Sequence, residues 1–221
     1  MKYFLIFLFI SYMPVYAQIN PTTTHTYLAL GDSYTIGESV PENERFPIQL
    51  TKRMNEAGYS ISTPKIIAKT GWTTDELNAA ILKENLGDQT FDMVSLLIGV
   101  NNQYRGRDVE IYRKEFAELL NRAIKFAKNN INNVLVLSIP DWGMTPFGKK
   151  SPKQNISSTI DLFNKVNKEE CNKMGILYID ITPDSRLADK DPGLVANDGL
   201  HPSGKMYANW VDHIMNALLK K

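Results

Sequence analysis

Five apolar runs, each followed by a stretch with helical spacing, constrain this chain more than any other feature. The runs fall at about 26–31, 62–68, 92–98, 133–139 and 176–181, and the helical stretches at about 44–57, 74–85, 109–129, 156–174 and 203–219. Punctuation supports the helices. Pro47 stands in the first turns of the first one and Gly58 just past its end, Thr73 to Glu76 fits a capping box, and Gly175 follows the fourth. Met206, Trp210, Ile214 and Leu218 recur every fourth residue and place one face of the last helix against a core. The third run, Asp92-Met93-Val94-Ser95-Leu96-Leu97-Ile98, is apolar on both alternating sides, as a strand covered on both faces must be. Strict βα alternation of this kind predicts an α/β fold, a five-stranded parallel sheet with helices on both faces.

The first 17 residues stand outside that pattern. Lys2 is their only charge, Tyr3 to Ile10 is apolar, and Val15-Tyr16-Ala17 ends on a small residue. This reads as a cleaved secretory leader, with residues 18–221 forming one domain and the protein secreted or periplasmic. The apolar stretch is shorter than the roughly 20 residues needed to span a bilayer, and Pro14 follows it, so no stable membrane anchor is expected. Without Lys2 the formal charge of +1 disappears, and a neutral domain offers no broad basic field for nucleic acid. A single cysteine, Cys171, excludes an intrachain disulfide. With only His25, His201 and His213 beside it, scattered along the chain, no usual structural zinc site is expected.

In open parallel sheets, sites form beyond the carboxyl ends of the strands. There the chain places Gly31-Asp32-Ser33, then Thr70-Gly71-Trp72, then Gly99-Val100-Asn101-Asn102-Gln103, then Pro140-Asp141-Trp142-Gly143, and finally Asp198-Gly199-Leu200-His201-Pro202. A serine hydroxyl is a weak nucleophile unless a base removes its proton. Histidine is the side chain whose unperturbed range lies near neutrality, which makes His201 the candidate base, and Asp198 is the acid nearest to it in sequence among candidates to orient its ring. Pro202 disfavours helical geometry at His201 and so favours a loop that presents the imidazole. Candidate donors to an oxyanion are the Ser33 amide, the Gly71 amide and the Asn101 side chain. Each has a plainer alternative: Gly-Asp-Ser as a turn, Gly71 as a positive-φ residue, Asn101 as a loop-bonding amide, and Asp198 as the first residue of an Asp-Gly turn.

Taken together and in this order, these segments resemble the SGNH/GDSL hydrolase family. Gly31-Asp32-Ser33-Tyr34 is similar to its first block, with Tyr34 where leucine is usual. Gly71 stands for the second block, Gly99-Val100-Asn101 for the third and Asp198-Gly199-Leu200-His201 for the fifth. The third block departs from the family pattern at Asn102, where an aspartate is usual. The resemblance implies a flavodoxin-like three-layer α/β/α sandwich and ester or thioester hydrolysis without metal or other cofactor. It implies Ser33 as nucleophile, Asp198 and His201 as the rest of the triad, and Ser33, Gly71 and Asn101 as oxyanion donors.

The expected substrate is a small-molecule ester, either a lipid or an acylated carbohydrate. Substrate contacts are expected from Trp72, Asn102, Tyr104 and Trp142. Arg105 and Arg107 near an apolar patch of Trp142, Met144, Pro146 and Phe147 would suit an anionic leaving group such as that of a lysophospholipid, whereas aromatic faces suit sugars equally well. Acyl transfer to an acceptor other than water, and a non-catalytic binding module on the same fold, are the competing readings. No Gly-x-Ser-x-Gly elbow, Gly-x-Gly-x-x-Gly turn or Walker A sequence is present to support other α/β classes.

Overall fold

The computed structural model describes residues 23–219. The leader expected over residues 1–17 lies outside the described residues. In chain order the elements are β1 (Tyr27–Gly31), α1 (Ser33–Ile36), α2 (Phe46–Glu56), β2 (Lys65–Ala68), α3 (Thr74–Lys83), β3 (Met93–Leu97), α4 (Val100–Tyr104), α5 (Val109–Phe126), β4 (Val134–Leu137), α6 (Pro146–Lys149), α7 (Ile156–Met174), β5 (Leu177–Ile179), α8 (Thr182–Arg186) and α9 (Gly204–Leu219), with short 3-10 turns between some of them. All five expected strands and all five expected long helices form.

The sheet has the order β2-β1-β3-β4-β5 and every pairing is parallel. This is the flavodoxin-like order. The chain winds from β1 outward to β2, then crosses back to β3 on the other side of β1. Right-handed crossovers then put the helix of the first connection on one face and those of the later connections on the other. Accordingly α2 packs against α9, while α3 packs on α5 and α5 on α7. The two layers and the sheet make the three-layer α/β/α sandwich.

Burial explains where the strands end. β1, β3 and β4 are buried at every residue, whereas the edge strands β2 and β5 are half-buried. The second strand is shorter than its expected span of 62–68. His25 bridges Ile61, pairing lapses, and the ladder resumes at Lys65, directly after Pro64, which has no N–H to donate. The apolar seam of α9 lies in the core as its spacing requires: Met206, Trp210 and Ile214 are buried, and Trp210 meets Phe46 of α2 at 6.4 Å between ring centroids. At the start of α3 the expected capping box forms: the Glu76 carboxylate accepts the Thr73 N–H at 2.9 Å and the Thr73 side chain accepts the Glu76 N–H, while the Thr73 hydroxyl donates to Asp75.

Four short helices, α1, α4, α6 and α8, were not expected. At four or five residues they are too short for any periodicity to show. All four lie just beyond strand ends, so they shape the rim on which the candidate chemistry sits.

The burial pattern yields a contrast. Leu96 in β3 is fully buried and Leu162 on α7 is 46% exposed. Leu96→Ala is expected to lower unfolding free energy by about 2–5 kcal/mol. Leu162→Ala should change it by less than about 0.5 kcal/mol in the same urea titration.

Candidate active site

Strand order reverses at β1, so a crevice opens between the carboxyl ends of β1 and β3. Ser33 leaves β1 as the first residue of α1, and Asn101 lies in α4 after β3. Ser33, Thr70, Gly71, Val100, Asn101, Tyr104, Trp142, Phe147, Leu200 and His201 line one cleft of about 180 Å³. A larger cavity of about 350 Å³ lies at the opposite end of the sheet, among Met54, Ile61, Met93, Val134 and Met215, and holds none of the expected site residues.

The acid and the histidine are joined. His201 Nδ1 lies 2.5 Å from Asp198 Oδ2. Asp198 Oδ1 accepts the N–H groups of Leu200 at 2.9 Å and His201 at 3.0 Å, so the carboxylate is held by its own turn. Burial pushes the Asp198 carboxyl up, but hydrogen bonds from His201, from these amides and from the Ser39 hydroxyl outweigh it and hold the group below the ordinary carboxylate range. It is therefore ionised at neutral pH, and His201 Nδ1 carries the proton between them. Asp198 is the ring's only hydrogen-bond partner among the described residues, which leaves Nε2 free on the imidazole that lines the cleft.

Gly71 has φ of 88°, the left-handed region glycine enters without steric cost. Its carbonyl is turned away to accept from an Arg105 guanidinium nitrogen at 2.6 Å. Asn101 Nδ2 donates one N–H to the Trp72 carbonyl at 2.9 Å. A primary amide nitrogen carries two donors, so one remains for the cleft. Gly99 precedes α4 with φ of 126°, and a Cβ there would lie 2.5 Å from the Tyr112 hydroxyl. The close packing of α5 against this turn thus requires glycine.

Two of the expected substrate contacts stand elsewhere. Asn102 is buried; its Oδ1 accepts from Thr74 N at 3.1 Å and its Nδ2 donates to Thr74 Oγ1 at 2.7 Å. The Thr74 hydroxyl in turn donates to Glu115. An asparagine fits this chain of bonds because the hydroxyl's proton is committed to Glu115 and a donor must approach its oxygen. Asn102 thereby ties α4 to the first turn of α3, and it is absent from the cleft wall. Trp72 is half-buried against the core, again off the cleft wall. Tyr104 and Trp142 do line the cleft, with ring centroids 5.4 Å apart, and Phe147 lies 6.1 Å from Trp142. The arginines are engaged as well. Arg105 pairs with Glu76 at 3.0 Å and Arg107 with Asp75 at 3.6 Å, and neither lines the cleft.

Three supports have no role expected from the sequence. The buried Asp141 carboxylate accepts from Arg186 Nε at 2.9 Å and from Gly143 N at 3.0 Å, which pins the loop bearing Trp142. Tyr34, at the position where leucine is usual, meets His201 at 5.9 Å and Trp210 at 6.4 Å, both edge-on. The third is Ser39, whose hydroxyl donates to Asp198 Oδ2 at 2.7 Å. Outside the site, Cys171 is fully buried and its thiol is pushed up to about 12, chiefly by burial, as expected of a packed thiol. His213 lies on the surface of α9 beside Asp184 at 2.9 Å.

Asp32 precedes the serine and is fully buried. Oδ1 accepts the Tyr34 N–H at 3.1 Å, but Oδ2 has no partner. Burial raises its pKa from 3.8 to about 7 despite hydrogen bonds from backbone amides, Tyr34 first among them. Between those two values the folded state holds a proton that the unfolded chain has lost, so this carboxyl makes stability fall as pH rises. Asp32→Asn is expected to remove that fall. In urea unfolding, its stability relative to the wild type should improve between about pH 5 and about pH 8. A constant difference over that range would show that Asp32 does not titrate there.

A model of the GDSL-like lipase/acylhydrolase family matches residues 29–208, most of the chain. Solved structures share the fold at low sequence identity. The chain is 19% identical to TesA with a TM-score of 0.68, the match covering 88% of this chain and 98% of the other. It is 16% identical to a lipolytic G-D-S-L family protein from Veillonella parvula, with a TM-score of 0.68 and coverages of 90% and 100%. With Axe2, an acetylxylan esterase from Geobacillus stearothermophilus, it shares 17% identity at a TM-score of 0.64, over 88% and 94%. No curated protein sequence matches the chain significantly. The family match, over a fold that brings the serine, the acid–histidine pair and the glycine and asparagine amides to one rim, places this chain in the GDSL-like lipase/acylhydrolase family of ester-hydrolysing enzymes.

Proposed function

We propose that the protein is a serine esterase that forms an acyl-enzyme at Ser33 and acts on short acyl esters. The observation that carries this reading is the His201–Asp198 contact of 2.5 Å beside a cleft that Ser33 also lines. Ser33 Oγ attacks the ester carbonyl as His201 Nε2 takes its proton. Asp198 holds the ring in the Nδ1–H tautomer and stabilises the imidazolium that forms. The tetrahedral oxyanion receives the amides of Ser33 and Gly71 and the second N–H of Asn101. His201 then returns the proton to the leaving alkoxide, and water repeats the sequence in reverse to release the acid.

The cleft supports a short acyl group. Its roughly 180 Å³ resembles in size the roughly 150 Å³ apolar cavities that accept a benzene-sized guest. Val100, Trp142 and Leu200 are the apolar walls, while Tyr104 and Phe147 are about two-fifths exposed. Exposed aromatic faces suit an acylated carbohydrate as the alcohol part. With Arg105 and Arg107 already paired to carboxylates, a phosphate-bearing headgroup has less to recommend it. Export from the cytoplasm, from the leader-like residues 1–17, belongs to the same proposal.

A p-nitrophenyl ester series from acetyl to octanoyl tests the reading, with the highest kcat/KM expected from acetyl to butanoyl. A preference for octanoyl would overturn the short-acyl assignment. Ser33→Ala should lose about 10³-fold or more in kcat on the best ester. Equal rates for the two proteins would remove the mechanism and favour a binding module.

A further inference from the structure

The Asp198 carboxylate takes two of its hydrogen bonds from the N–H groups of Leu200 and His201, in its own turn, and a third contact from the His201 ring. Those partners travel with it. Its remaining donor is Ser39, 159 positions away, whose Oγ lies 2.7 Å from Oδ2, the oxygen that also faces His201 Nδ1. An ionised carboxylate only accepts, so the serine hydroxyl donates, and the bond is charge-assisted.

Ser39 has φ of 65°. A residue with a Cβ meets repulsion in this left-handed region that glycine avoids. Such outliers persist where the surroundings hold them, and they concentrate at functional sites. The surroundings here are the site itself. The N–H groups of Gly37 and Glu38 both donate to the carbonyl of Ser33 at 3.0 Å. The Glu38 carboxylate accepts the Thr70 hydroxyl, one residue before Gly71. One short turn therefore grips the nucleophile's backbone, the loop of Gly71 and the acid.

We infer that Ser39 is a positioning residue: its hydroxyl fixes the Asp198 carboxylate, and through it the His201 ring, relative to the turn that carries Ser33. This rests on the triad reading proposed above. Losing the bond frees the carboxylate to rotate and leaves it more basic, which strengthens its hold on the imidazolium. Two consequences follow, a lower kcat and a displacement of the acid limb of the pH–rate profile to higher pH. The other titratable or charged groups around the pair and its turn are Tyr34, Tyr207, Asp32, Asp141, Arg45 against Gly37, and Glu38, which is engaged by Thr70. Burial pushes Tyr34 and Tyr207 above their ordinary range, so both stay neutral. Asp141 is paired with Arg186. Asp32 has no bond to Ser39, so its titration is common to all the variants below.

Two substitutions separate the hydroxyl from the backbone strain. Ser39→Gly removes both. It is expected to melt no lower than the wild type, yet to lose roughly three- to tenfold in kcat with KM unchanged. The acid limb of its pH–rate profile should move to higher pH. Ser39→Thr keeps the hydroxyl and adds a methyl at a positive φ. It is expected to melt lower while retaining kcat and the profile. If Ser39→Gly has the wild-type kcat and profile, or if Ser39→Thr loses as much kcat as Ser39→Gly, the hydroxyl positions nothing and the inference falls. Asp198→Asn in the same assay separates the two layers. Full activity there overturns the triad reading and this inference with it. A large loss there, beside an unaltered Ser39→Gly, overturns this inference alone.

Discussion

Parallel pairing of β1 on both of its edges is the constraint on which the rim depends. The chain runs from β1 outward to β2 and then crosses back past β1 to β3, so β1 is paired on both sides. The register holds Gly31 opposite Ala68 on one side and Leu97 on the other. The strand ends therefore sit level, and the turns that follow them open at the same height. Ser33, Gly71 and Asn101 come together because three strands terminate in line, not because any of the three turns seeks another. Burial of every residue of β1 and β3 keeps this frame rigid: a one-residue slip would send each side chain to the opposite face.

A second tier of polar contacts converts level turns into a defined site. Arg105 reaches back to the Gly71 carbonyl and binds Glu76, which itself accepts from Thr73 at the head of α3. Asn102 clamps α4 to the same helix through Thr74. Asp141 and Arg186 secure the loop that brings Trp142 to the wall. Apart from the exposed Arg105 these groups are buried or half-buried, and each polar atom named has a partner, which is the condition under which such networks rigidify rather than weaken a fold. The exception is Asp32, with one oxygen unpartnered directly beside Ser33. Stability is lower there than an apolar or fully bonded residue would allow, a pattern common where a backbone must be held for chemistry.

Elements with strong local periodicity were legible along the chain. The span of α7 agrees with its expected bounds, because an apolar stripe and a terminal glycine mark it. β2 came out shorter, since the residues before it look strand-like but Pro64 breaks the ladder. Residues whose role depends on partners far away were harder. Asn102 reads as a substrate contact on the rim, and its two bonds to Thr74 at the start of α3 make it a support instead. Arg105 and Arg107 read as free cations, and Glu76 and Asp75 on α3 neutralise them. Nothing near Ser39 marks it, because its partner is 159 residues away and serine is common in turns.

Order of residues along the chain dictates the number of layers, the parallel sense of the sheet and which residue types reach its carboxyl rim. Those follow from hydrophobic period, chain direction and the handedness of crossovers, all of them short-range properties of an L-polypeptide. Which side chains then meet is a matter of folding. The His201–Asp198 pair, three residues apart, could be guessed from proximity. The approach of both to Ser33, the reach of Ser39 to Asp198 and the size of the cleft depend on how separate turns pack. Packing is decided by contacts between distant segments, and no local pattern encodes them.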